Sequence, residues 1–246
     1  MKNIILSLSI ALTSNLFISY NSNAEPKVMK DNISFYEAPL VCHAAPSIGC
    51  GSKAKFLLFD LEKEHDAVEG AWLNKKGTVI AIKWKENLDA DKKNEIINTV
   101  TKDHDITVNE LSHNEAAQYL KTFPNSNVWY KGKEVDKLSK EEAAFIAKKT
   151  IAKYKATKLI KPSFEKQFQA DIEKVYTELF LSISSYKDLN IATYNKVEDQ
   201  IQAVGEKYVG KGKMPHVELC IASEQSCEKD KSCSKESGKT CCDKYE

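Results

Sequence analysis

Apolar residues recur along this chain first with a period of two or in short runs, and later at gaps of three and four. The stretch "ISFYEAPLVCHA" (33–44) is rich in aromatic and β-branched residues and reads as a strand, which "PSIG" breaks. In "SKAKFLLFDLEKEHD", Ala54, Leu57, Leu58 and Leu61 fall at helical spacing, with Ser52 as the expected N-cap. Residues 67–86 predict a hairpin: Val68 and Trp72 precede the turn "NKKG", and Ile80, Ile82 and Trp84 alternate after it. "DADKKNEIINTVTKDHD" places Ile96, Ile97 and Val100 on one helical face, and "ITVNEL" closes as a short strand. The order strand, helix, strand, strand, helix, strand over 33–112 predicts a ferredoxin-like βαββαβ domain, with two helices covering one face of a four-stranded antiparallel sheet.

The rhythm then changes. Residues 113–138 read as a linker: a short helix in "NEAAQYLKTF", a turn at "PNSN", and a hairpin or edge strand in "VWYKGKEV". From 139 to 215 the chain turns helical, with Ser139 and Glu142 spaced as a capping box. Pro162 ends that helix, and Ser163 is expected to cap a second one carrying Phe164, Phe168, Ile172, Val175 and Leu179. A third helix places Tyr194, Val197, Ile201, Val204 and Tyr208 in one stripe, which wants a partner helix. Residues 216–246 lose apolar content, and "SCEKDKSCSKESGKTCCDKYE" has too little of it to fold alone. The fold class expected is therefore α+β, with a helical C-terminal region and a flexible cysteine-rich tail.

Charge removes several function classes. The 36 basic residues are all lysine, against 35 acids, so no net field draws the chain as a whole toward nucleic acid or anionic lipid. Without arginine, fork-shaped contacts to guanine or phosphate are not available, and no nucleic-acid partner is expected. Residues 1–24 join a lysine, the apolar run "IILSLSIALTSNLFI" and the small-residue end "NSNA", the pattern of an export signal cleaved after Ala24. That predicts a periplasmic or secreted protein with no membrane span in the mature chain.

Seven cysteines then acquire meaning: Cys42, Cys50, Cys220, Cys227, Cys233, Cys241 and Cys242. An oxidising compartment pairs thiols, and an odd count leaves one over unless the protein dimerises or binds metal. Cys50 sits just before the first helix, where the helix dipole favours a thiolate. With Cys42 it reads as a structural disulfide, a redox pair, or a soft-metal pair for Cu(I), Hg(II) or Zn(II). His43 is a candidate auxiliary ligand, although a neighbour on a strand points to the opposite face. In the tail, the spacing fits no zinc-finger template, and the adjacent Cys241 and Cys242 bond to each other only with strain. Cys220, Cys227, Cys233, Cys241 and Cys242 therefore read either as ligands that capture and hand on a soft metal or as two disulfides with a spare thiol. His216, four residues before Cys220, is a second auxiliary candidate. His65, His104 and His113 are expected to face solvent. No Ser–His–Asp arrangement, phosphate loop, HExxH or dinucleotide fingerprint occurs, and the chain is not expected to be an enzyme.

From "GCGSKAKFLLFDLEKEHDAVEGAWLNKKGTVIAIKW" onward the chain resembles the heavy-metal-associated domain family, over about residues 38–112. Cys50 matches the cysteine that opens the family's first helix, Val68 the valine starting its second strand, and Gly77–Thr78 the turn before its third. The family separates its two cysteines by two residues, whereas seven lie between Cys42 and Cys50. The resemblance implies thiolate binding of a thiophilic ion such as copper or mercury. The expected function is thus an exported protein that sequesters or delivers soft metal, with a membrane metal transporter or another envelope protein as partner. A periplasmic thiol–disulfide exchange protein using Cys50 is the first alternative, and a disulfide-braced partner-binding protein the second.

Overall fold

The computed structural model describes residues 32–214, apart from 43, 64, 65, 87 and 189. The expected leader 1–24 and tail 216–246 lie outside the described residues, as do His43, His65, His216, Cys220, Cys227, Cys233, Cys241 and Cys242. In chain order come strand β1 (Ile33–Glu37), helix α1 (Gly51–Lys63), strands β2 (Val68–Asn74) and β3 (Val79–Trp84), helix α2 (Ala90–Asp103) and strand β4 (Asn109–Glu110). Helix α3 (His113–Leu120) and strand β5 (Trp129–Lys131) follow. The remainder is helical: α4 (Asp136–Ala156), a 3-10 turn (Pro162–Phe164), α5 (Glu165–Ser182), a second such turn (Tyr186–Asp188) and α6 (Ile191–Val209).

Local chemistry explains most of the boundaries. Asn74 builds the β2–β3 turn, its Oδ1 accepting from the Thr78 and Val79 amides at 2.9 and 3.1 Å. Gly77 adopts a φ of 76° there, and a Cβ at this position would run into the Leu40 carbonyl. Asp89 caps α2 by accepting from the Lys92 amide at 2.8 Å, and Ser112 with Glu115 forms a capping box at α3. The capping box expected at Ser139 and Glu142 is absent. Helix α4 starts earlier, at Asp136, so both residues lie inside it and are buried. Ser163 belongs to the 3-10 turn and does not cap α5. Ser52 sits inside α1 and is buried, so it is not that helix's cap.

The fold class needs correction. The six elements expected over 33–112 occur in order, but they do not form the self-contained ferredoxin-like βαββαβ domain anticipated. The sheet has five antiparallel strands in the order β4-β1-β3-β2-β5, and the fifth comes from the stretch read as linker. Tyr130 lies opposite Leu73, so β5 covers what would have been the open edge of β2. Nor is one face of the sheet left open. Phe35, Val79, Ala81 and Trp129 point to a side covered by Tyr119, Leu120 and Phe123 of α3 and the turn after it. Tyr36, Leu73, Ile80, Ile82 and Trp84 point to the other side, where their core continues without a break through α1, α2, α4, α5 and α6. The physical reason is the pleat: β3 is apolar on both faces and β1 places Phe35 on one and Tyr36 on the other, so both faces need cover.

Helix α4 packs on α1 and on α5, and α6 packs on α5. The Tyr154–Phe168 and Phe168–Tyr208 ring pairs, with centroids 5.6 and 5.0 Å apart, join the end of α4, the start of α5 and the end of α6. The stripes read from the sequence are buried as expected at Phe168, Ile172, Leu179, Val197, Ile201 and Val204. No helix among the described residues is long and apolar enough to cross a membrane.

Candidate functional site

The chain between β1 and α1 folds back on itself. Val41 and Gly49 form an antiparallel bridge, with the Cys50 amide donating to the Leu40 carbonyl at 2.7 Å and the Cys42 amide to Ile48 at 3.1 Å. Inside the loop, the Ala45 amide donates to the Cys42 carbonyl and the Ile48 amide to Ala45. Gly49 anchors the loop by donating to the Lys75 carbonyl at 2.8 Å, and it is a glycine because a Cβ would come within 2.8 Å of the Gly77 Cα. Side chains alternate across such a pair, so Cys42 and Cys50, each one residue beyond the bridge, project to the same side. Both are buried free thiols. Cys50 also opens α1, its carbonyl accepting from the Ala54 amide at 3.0 Å, while its Sγ lies 3.4 Å from Ser52 Oγ.

Helix α4 forms the third wall. It comes this close because residue 51 is glycine; a Cβ there would strike the Val135 carbonyl and lie 2.5 Å from Ser139 Oγ. Ion pairs fix the approach: Lys55 to Asp136 at 2.9 Å, and Lys75 to Glu141 at 2.8 Å. The result delivers the carboxyl of Glu142, only 3% exposed, to the thiols. It hydrogen-bonds the Cys42 side chain and accepts from the Gly51 amide. Its Oε2, like Ser139 Oγ, is buried with no hydrogen-bond partner among the described residues.

Electrostatics here reverse the expectation drawn from the helix dipole. Burial pushes the Cys50 thiol up to about 12, with the Glu142 charge adding to the effect and hydrogen bonds from Ser52 and the Lys53 amide opposing it. Burial raises Cys42 further still, reinforced by the neighbouring Glu142. The helix N-terminus is present, but desolvation outweighs it. Glu142 is itself pushed up to about 7 by burial, against the pull of its Cys42 contact and the Lys53 charge. The resting site is therefore two protonated thiols beside a carboxyl that titrates near neutrality.

Of the residues singled out from sequence, the structure brings Cys42 and Cys50 together. Glu142 was missed as a site residue, although a signal existed: it stands four residues from both Leu138 and Ile146, on the apolar stripe of its helix. His113 is exposed as expected. His104 is buried instead, with Nε2 2.9 Å from Asp60 Oδ2 and Nδ1 unpartnered among the described residues. Among the described residues, no group of three or more His, Cys, Asp or Glu side chains is arranged to hold a metal ion. Comparisons with known protein families, with curated proteins and with solved structures found no match.

Proposed function

We propose that this protein is an exported, non-enzymatic carrier that takes up a soft metal ion as cargo between the Cys42 and Cys50 sulfurs. What supports the reading is one observation: two free thiols on the same side of the Val41/Gly49 bridge, with a titratable carboxyl against one of them. Diagonal partners in a ladder lie about 7–8 Å apart. A disulfide wants Cβ atoms within about 4.5 Å, closer than the diagonal of a regular ladder sets them. An ion held linearly between two sulfurs, at metal–sulfur distances of about 2.3 Å, spans a wider gap.

Two thiols suit two-coordinate Hg(II) or Cu(I). Zn(II), which prefers four ligands, would draw on groups beyond the described residues, such as the tail cysteines, His43 or His216. Binding displaces the thiol protons, and ionised Glu142 stands beside Cys42 to accept one. A divalent ion with two thiolates is neutral overall, which a buried site tolerates best. Delivery to a membrane transporter or another envelope protein is the natural next step for such a carrier.

The test is Hg(II) titration of reduced full-length protein in which the five cysteines after residue 214 are serine. One equivalent should bind with a thiolate-to-metal absorption band, and Cys42→Ser/Cys50→Ser should abolish both. Absence of binding before that second change would remove the proposal. Thiol–disulfide exchange keeps one observation in its favour, since Glu142 beside Cys42 also suits proton transfer from an attacking thiol. Catalytic turnover of a disulfide substrate by the same protein would select it.

A further inference from the structure

The helical layer carries an unequal distribution of charge that the thiol site does not use. Residues 153–166 and 207–213 hold eight lysines and one acid, Glu165, whereas acids outnumber lysines in the rest of the chain. The acids packed beside these segments, Asp171 and Glu206, accept from Tyr208 at 2.7 Å and from the Gly212 amide at 2.9 Å. Glu165 is already neutralised by Lys155 at 2.6 Å. These segments meet in space, because Tyr208 at the end of α6 packs on Phe164 and Phe168, with ring centroids 5.9 and 5.0 Å away. Leu159 and Phe164, each 43% exposed, stand at this same pole; the third exposed large apolar residue among the described residues, Leu181, is at the far end of α5. Between them, Ile160 is 6% exposed and anchors the turn, so its two apolar flanks are held outward.

Helix dipoles account for part of the pattern only. Lys153, Lys155 and Lys207 lie in last turns, where cations complement the C-terminal end. Lys161 and Lys166 sit at the start of α5, the end that disfavours them, so a different demand placed them there. Apolar side chains on a turn ringed by lysine match a surface with an anionic face and an apolar layer beneath. A polyanion without exposed bases, such as heparin or a nucleic-acid duplex, would gain from the lysines but little from Leu159 and Phe164.

We propose that the pole where α4 ends, α5 begins and α6 ends docks onto an anionic lipid bilayer. Leu159 and Phe164 enter the headgroup boundary, and Lys158 and Lys161 lie over the lipid phosphates. This inference is independent of the thiol site, and its failure would leave the metal reading untouched.

The experiment is vesicle co-sedimentation of the chain from Glu25 onward, which omits the apolar leader and retains every described residue. Vesicles of phosphatidylglycerol mixed with phosphatidylcholine are compared with phosphatidylcholine alone. Binding should require the anionic lipid and weaken as salt rises. Lys158→Glu/Lys161→Glu should weaken it by about 25-fold or more, taking the usual contribution of a lysine near such a surface. Lys121→Glu/Lys137→Glu, away from the pole, should leave it unchanged. Leu159→Ser/Phe164→Ser should remove the part of binding that survives high salt; Leu159→Ser alone serves if loss of the Tyr208 contact unfolds the double variant. Equal binding to both vesicles, or apolar variants that bind like the parent while heparin competes fully, would overturn the proposal in favour of no docking or of polyanion adsorption.

Discussion

On the side of the sheet that carries Phe35, Trp72 and Trp129, aromatic rings packed among small aliphatic side chains make the core. Phe123 meets Trp72 and Trp129 edge-on at 5.0 and 5.4 Å, and the Trp129 indole N–H donates to Thr122 Oγ1 at 3.2 Å. The other side is larger and contains the exceptions. Glu142 Oε2, Ser139 Oγ and His104 Nδ1 are buried there without partners among the described residues, and both free thiols, partnered by Glu142 and Ser52, are buried there too. One face is built for cohesion. The second spends part of its cohesion on keeping titratable groups dry, a cost that stabilising packing elsewhere must offset. The difference teaches where to look for chemistry in a sheet with two covered faces: on the side where polar satisfaction is incomplete.

If that contrast is sound, Trp129→Ala should be the most damaging change, lowering stability by about 3–5 kcal/mol in urea unfolding, because a large ring leaves a cavity in the aromatic face. A small loss would mean that this face is not the cohesive one. On the other face, Cys50 should alkylate more slowly than an ordinary thiol by at least about tenfold, since burial raises its thiol to about 12 and the greater nucleophilicity of a more basic thiolate offsets only part of the lost thiolate fraction. Peptide mapping after timed iodoacetamide exposure at pH 8 measures this.

Glu142 sharpens the comparison further through pH. Its folded value, about 7, lies above the ordinary 4.5, so the folded state holds a proton that the unfolded chain has released. Stability should therefore fall as pH rises from about 4.5 through about 7, by on the order of 3 kcal/mol, and then level off. Glu142→Gln should flatten that slope and be the more stable protein at pH 8. A slope unchanged by the substitution would assign the pH dependence elsewhere. Ser112→Ala, which breaks the α3 capping box, should lower stability by about 1 kcal/mol. Lys83→Ala removes only an exposed ion pair with Glu69 at 2.7 Å and should change stability by less than about 0.5 kcal/mol.

The elements legible in the sequence were those whose signal is local. The alternation of Ile80, Ile82 and Trp84, the stripe through Val197, Ile201 and Val204, and the "NKKG" turn each follow from neighbouring residues, and each is present. What escaped depends on distant partners. The three residues of β5 make sense only beside β2, and the burial of Ser139 and Glu142 follows from Gly51 admitting α4 to within contact of α1. The thiol pair was legible as a pair, but its protonation was not. A helix start predicts a lowered thiol pKa, and the desolvation that reverses it comes from α4, nearly a hundred residues away.

The outermost strands of the sheet deserve a last thought, since β4 has two residues and β5 only three. A stranger's chain seeking to extend the ladder would find only these short outer strands, and the β2 backbone at Trp72, Leu73 and Asn74 is already covered by β5. Shortening the stretch between α3 and α4 would uncover that backbone and turn a self-terminating molecule into one that recruits copies of itself.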